Sequence, residues 1–259
     1  MARVKIFAHR GGARRGPENT LAAFAQAIGD GADGFECDVR LTADGEPVIV
    51  HDDDLRRVTG APVLVSRSRF AEVRALRVLG SDQRIPHLDE VLELAALHEV
   101  EGFLELKGTS ERLAETVIAR LRASRAGGRW WIMAFATRGR ILDYVKTLDG
   151  PVRTIVIAVL PVDLCRTVAR CGADAVSFGF GWKFRSYALF RTLDACISLK
   201  AVVRRAQARA IPVTAGIANE VHDILRLADY GLDAIFTDVV PTARAVLEDH
   251  GRRPPRPQP

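Results

Sequence analysis

At 259 residues, 48% hydrophobic and 27% charged, the chain has the composition of a globular protein with a large buried core. No apolar run approaches the roughly 18 residues a membrane-spanning helix needs, and MARVKIFAHRGG lacks the long apolar stretch of a secretory signal. The net charge of +5 is scattered over patterns such as KAVVRRAQARA and the terminal GRRPPRPQP, so it marks neither a nucleic-acid nor an anionic-lipid surface.

In chain order, apolar runs of strand length predict strands at 4–9, 34–39, 102–107, 130–135, 153–159, 175–180, 212–216 and 234–238. Helix-period segments fall between them at 19–30, 87–97, 110–124, 138–148, 161–171, 199–210, 219–230 and 242–250. Strict alternation predicts a parallel sheet, and the count of eight predicts its closure into an α/β TIM (β/α)8 barrel. A short extra strand is expected in ADGEPVIVHD, after the second barrel strand, followed by an insertion over 53–85 that caps the barrel mouth. One domain over 1–250 and a disordered Pro/Arg-rich tail over 251–259 complete the expected organisation. Asn19 reads as the cap of the first helix and His87 as the start of a later one. The four cysteines form no CxxC pair and are expected to be free, buried thiols.

Barrels of this kind carry their chemistry at the C-terminal ends of the strands. His9 and Arg10 end the first predicted strand. Glu36 and Asp38 lie two apart near the end of the second, so they share one face, and Glu105 and Lys107 repeat the spacing in the third. Carboxylates converging on one rim need a counter-charge, for which a hard divalent cation, calcium or magnesium, is suited. Arg10 and Lys107 are placed to hold an anion beside it. His9 and His51 suit proton transfer near neutral pH, with metal ligation as their alternative.

The stretch HRGGARRGPENTLAAFAQAIGDGADGFECDVRLTADGEPVIVHDDDLRRVTG closely resembles the N-terminal signature of the glycerophosphodiester phosphodiesterases, as do IPHLDEVLEL, FLELK and GLDAIFTDVVPTAR further on. The resemblance implies a TIM barrel that hydrolyses glycerophosphodiesters to glycerol 3-phosphate and an alcohol with a divalent cation. By position it makes His9 and His51 the acid–base pair, Glu36, Asp38 and Glu105 the metal carboxylates, and Arg10 and Lys107 the phosphate contacts. Glu18, in the PENT motif, and Asp52 are read as groups that orient their neighbours. The chain departs from the family at Ala134-Phe135, where a Ser-Phe pair is common, and in VTAGIAN, where a Trp-Thr pair is common. An aromatic wall against the glycerol or head group is therefore missing there, and Trp182 or Phe184 is the candidate substitute.

Two rivals remain. A sphingomyelinase D-like phospholipase forming a cyclic phosphate would share the histidines and carboxylates, but the PENT motif and unpaired cysteines argue against it. A barrel that binds metal or phosphate without turnover would have lost catalytic residues first, and here all are present. The expected protein is a cytoplasmic hydrolase acting on a small molecule, with no nucleic-acid partner and no stable membrane anchoring. Head group, metal identity and oligomeric state are not legible.

Overall fold

Eight parallel strands close on themselves in the computed structural model, which describes residues 3–14, 16–125, 127–179, 192 and 194–252. The strands are β1 (Lys5–His9), β2 (Gly34–Leu41), β4 (Glu101–Leu106), β5 (Trp130–Phe135), β6 (Val152–Ala158), β7 (Ala175–Phe178), β8 (Val213–Ala215) and β9 (Ala234–Thr237). Each pairs in parallel with the next, and β1 closes the ring by pairing with both β9 and β2. The eight-stranded barrel read from the alternation is therefore the observed fold. A ninth strand, β3 (Pro47–Ile49), runs antiparallel to β2 on its outer part.

The period of two along each strand sorts side chains between two cores. On β1, Ile6 and Ala8 face outward into the apolar layer beneath the helices, while Phe7 faces the barrel axis. Inside, Phe7, Phe103 and Phe236 pack edge to face, with centroids 4.7 Å apart for Phe7–Phe103 and 5.0 Å for Phe103–Phe236. Phe103 also stacks on Trp131. Such pairs are worth roughly 0.5–1.5 kcal/mol each beyond their burial, and this aromatic plug is the floor on which the mouth rests. Gly102 has a specific reason to be glycine: a Cβ there would lie 2.2 Å from the Trp130 ring.

The insertion has a core of its own. Leu55, Val58, Val65, Val73, Val78 and Ile85 bury against Val48 and Val50 around β3. This satellite cluster fixes two short helices, Arg56–Thr59 and Phe70–Ala75, beside the barrel mouth. Gly60, at φ 80°, ends the first of them in the left-handed conformation that glycine adopts freely.

Several local expectations need correction. Asn19 does not cap the first helix, Leu21–Gly29; Thr20 does, its hydroxyl accepting from the Ala23 N–H. Cys37, Cys165 and Cys171 are free and buried, but Cys196 is exposed. The last helix, Val240–Arg252, runs two residues into the stretch read as a tail, and 253–259 lie outside the described residues. Trp182 and Phe184 lie outside them as well. His87 caps its helix as expected, accepting from the Asp89 N–H. Among the described residues, no helix is long and apolar enough to cross a membrane.

Candidate active site

Strand register assembles the site. In the parallel pairing, His9 lies opposite Glu36 and Asp38 opposite Glu105, so inward-facing residues of β1, β2 and β4 meet at one rim. The chain then leaves β1 through three consecutive left-handed residues, Arg10 (φ 50°), Gly11 (82°) and Gly12 (89°). A Cβ at Gly11 would lie 2.8 Å from that of Ala23, so the turn needs glycine for space as well as for φ. This bend points the Arg10 N–H at Glu36 Oε2 (3.1 Å) and its guanidinium at Asp38.

Glu36, Asp38 and Glu105 are all buried and present carboxylate oxygens within 4.8 Å of one another. Two cations answer them. Lys107 donates to Glu105 Oε1 at 2.6 Å and its Nζ lies 2.9 Å from Asp38 Oδ1, while Arg10 Nε lies 3.1 Å from Asp38 Oδ2. Burial disfavours the Asp38 carboxylate, yet Lys107 and Arg10 together hold it below its ordinary range. Glu36 lacks a comparable partner, and burial, reinforced by the charge of Asp38, pushes it up to about 8. Three buried carboxylates are therefore short of positive charge. A hard, oxygen-preferring divalent cation fits that donor set.

The two histidines sit in opposite electrostatic settings. His9 Nδ1–H donates to Asp238 Oδ1 at 2.8 Å, and its Nε2 lies 4.0 Å from Glu36. Burial works against the protonated ring, but the Asp238 bond and the charge of Glu36 prevail and raise its pKa. His51, just beyond β3, pairs with Asp52 at 2.7 Å through Nδ1. Its pKa is lowered, first by burial, with Lys107 and Arg10 adding repulsion. Every described residue expected at the site is thus at one half of the mouth. Glu18 accepts from Arg10 (3.2 Å), and Asp52 holds His51.

Four residues were missed or misassigned by sequence reasoning. Asp238, fully buried at the end of β9, orients His9. Asn219 holds Asp238 in turn: its Nδ2 donates to Asp238 Oδ2 (2.7 Å) and its Oδ1 accepts from the Asp238 N–H (2.8 Å). Asn19 grips Asp38 in the same two-point way, at 2.9 and 3.3 Å. Arg57, from the insertion, reaches both Glu18 and Asp52. A signal existed for Asp238, since it ends the apolar run AIFTD as Glu36 and Asp38 end theirs. No comparable signal marks Asn19 or Asn219, whose partners are 19 residues away along the chain.

Asn19 supports a direct prediction. It is buried, stands at φ 57°, and is the side-chain amide that satisfies the Asp38 backbone. N19A should lower unfolding free energy in urea by roughly 1–3 kcal/mol, the cost of unsatisfied buried groups, and lower kcat as well. T20A, which removes the helix cap and the hydroxyl's bond to the Pro17 carbonyl but leaves Asp38 untouched, should cost roughly 1–2 kcal/mol and leave kcat within about twofold.

The sequence matches the glycerophosphoryl diester phosphodiesterase family over residues 9–242. It is 28% identical over 258 residues to a glycerophosphodiester phosphodiesterase of Bacillus altitudinis, covering 95% of this chain and 99% of that one. It is also 38% identical over 117 residues to glycerophosphodiester phosphodiesterase 1 of Rattus norvegicus, a match spanning 42% of this chain and 35% of the rat protein. An Oleispira antarctica phosphodiesterase, solved with its product sn-glycerol-3-phosphate, shares the fold with a TM-score of 0.80 at 23% identity, covering 95% and 97% of the two chains. With a family match that runs from the end of β1 to the start of the last helix, the chain belongs to the glycerophosphoryl diester phosphodiesterase family and is an enzyme that hydrolyses glycerophosphodiesters.

Proposed function

We propose that this enzyme hydrolyses glycerophosphodiesters to glycerol 3-phosphate and an alcohol by histidine acid–base catalysis at a metal-dependent site. The observation that carries the reading is the grouping of the acidic trio, two cations and two oppositely tuned histidines on one half of the mouth. Glu36, Asp38 and Glu105 would hold a calcium or magnesium ion, which when bound polarises a phosphoryl oxygen.

The chain's own residues account for the rest. Arg10 and Lys107 exchange part of their hold on Asp38 and Glu105 for the non-bridging phosphate oxygens, and offset the charge that grows there. His51, with its lowered pKa, is neutral near pH 7 and takes the proton from the attacking hydroxyl or water. His9, with its raised pKa, carries a proton held in place by Asp238 and delivers it from Nε2 to the departing alkoxide. Sequence left these two roles interchangeable; this assignment is supported by their opposite electrostatic settings. The same reading takes the substrate to be a small molecule and the enzyme to be cytoplasmic. Sn-glycerol-3-phosphate, the product held by the Oleispira neighbour, is the phosphate product assigned here.

The test is alcohol and glycerol 3-phosphate release from glycerophosphocholine and glycerophosphoethanolamine, with calcium, with magnesium and with chelator. Turnover should require one of the two ions and fall at least about 10²-fold in chelator. Phosphorus NMR should show glycerol 3-phosphate as the product. A cyclic phosphate as the end product would support the sphingomyelinase D-like alternative. No alcohol release under either metal would leave a binding barrel.

A further inference from the structure

Arg57 lies in the insertion, outside the barrel, yet all three of its guanidinium nitrogens are used on two carboxylates beside the active site. Nη1 and Nη2 grip the two oxygens of Glu18 at 3.0 and 2.6 Å, and Nε donates to Asp52 Oδ2 at 2.5 Å. Each carboxylate continues inward: Glu18 accepts from Arg10, and Asp52 holds His51. One unbroken path, ion pairs as far as Asp52 and a hydrogen bond beyond it, therefore runs Asp38–Arg10–Glu18–Arg57–Asp52–His51.

This guanidinium ties together three chain segments: the loop before the first helix, the end of β3 and the helix Arg56–Thr59. That helix is anchored by Leu55 and Val58 in the satellite core, so the arm starts from a fixed base. A lysine could not replace it, because an ammonium lacks the planar fork that spans two carboxylates. Stability is a weak explanation for such an arrangement. Arg57 is 51% exposed, and exposed ion pairs contribute about 0–1 kcal/mol.

We propose that Arg57 is a positioning residue for the reaction, holding Arg10 and His51 in register across the mouth through Glu18 and Asp52. The proposal rests on the reading of His51 as the base and Arg10 as the phosphate contact. It assigns the insertion a role in the reaction: the core that anchors Leu55 and Val58 presents the Arg57 side chain to the site.

The experiment compares R57A, R57K, D52N, the R57A/D52N double variant, H51A and R56A in the metal-supplied glycerophosphodiester assay, with thermal melts of each. R57A should lose roughly 10–100-fold in kcat, the scale of an ångström-level misplacement. Its melting temperature should move by no more than about 4 °C. R57K, which keeps the charge and stem and should fold as the parent does, should still lose at least about fivefold. Because part of the Arg57 effect runs through Asp52, the loss in the double variant should fall short of the product of the two single losses by at least about threefold. R56A, on the same helix but paired only with exposed Asp54 at 3.9 Å, should stay within about twofold of the parent. A folded R57A or R57K within twofold of the parent overturns the proposal, as do losses for R57A and D52N that multiply. Should H51A stay active, the acid–base reading itself fails and takes this proposal with it. An inactive H51A beside an unimpaired R57A overturns the proposal alone.

Discussion

H9A and H51A should each lower kcat by roughly 10²–10⁴-fold, the usual contribution of a positioned acid or base, while far-UV circular dichroism stays close to the parent; the melt should hold for H51A and fall for H9A, which leaves buried Asp238 with Asn219 alone. Both rings stand at the rim and neither belongs to the aromatic floor, so the fold does not depend on them. The pH profile adds a sharper test, because the two pKa values move in opposite directions from 6.5. His51 must be neutral to act as base, and its lowered pKa puts the rising, acid limb of the profile below 6.5. His9 must be protonated to act as acid, and its raised pKa puts the falling, alkaline limb above 6.5. D238N removes the partner that keeps His9 protonated and should move the alkaline limb toward lower pH while leaving the acid limb in place. Had the roles been reversed, only enzyme carrying both rings in their minority states would be active. Near-parental hydrolysis by H9A or H51A, or a D238N profile shifted on its acid limb, would contradict this assignment.

The second large effect is expected at Asp38. It is fully buried and has Lys107 at 2.9 Å, Arg10 at 3.1 Å and Asn19 at 2.9 Å, so it joins the proposed metal carboxylates to both proposed phosphate contacts. D38A would leave the buried Lys107 amine with Glu105 alone and free Arg10 on that side. Removing one partner of a buried pair costs roughly 3–5 kcal/mol because a charge is left uncompensated. The lower end applies here, since each cation keeps another carboxylate: Glu105 for Lys107 and Glu18 for Arg10. A urea melt should therefore show a loss of about 3 kcal/mol. Titration calorimetry with calcium or magnesium should show no binding, and turnover should fall below detection. E36Q is the milder companion. Burial already pushes Glu36 up to about 8, so the neutral amide costs little stability near pH 7 while it removes a proposed metal ligand. If D38A binds the ion as the parent does, the trio is not the metal site.

Much of the architecture was legible because strand and helix periods repeat and because a charge at the end of an apolar run is costly without a reason. That rule picked out His9, Glu36, Asp38 and Glu105 along strands that the register then brings side by side. Asp238 obeys the same rule at the end of β9, and its contact with His9 gives the reason. The misreading of Asn19 has a different origin. An asparagine before a helix is a good cap by local propensity, and the next residue, Thr20, is equally suited. Only Asp38, fixed in place by β2, decides between them, by offering Asn19 both a carboxylate and a backbone N–H.

The sequence by itself determined the barrel, its insertion, the family and the side chains from which the site is built, because periodicity, motif and residue chemistry are properties of the linear chain. Tertiary structure alone decided how those side chains are coupled. Asp238 meets His9 across 229 residues, Asn219 holds Asp238, and Arg57 joins Glu18 to Asp52. The two histidines are chemically identical in the sequence. Burial, one carboxylate behind His9 and two cations near His51 drive them apart, and each of those influences depends on distance through the folded protein rather than along the chain.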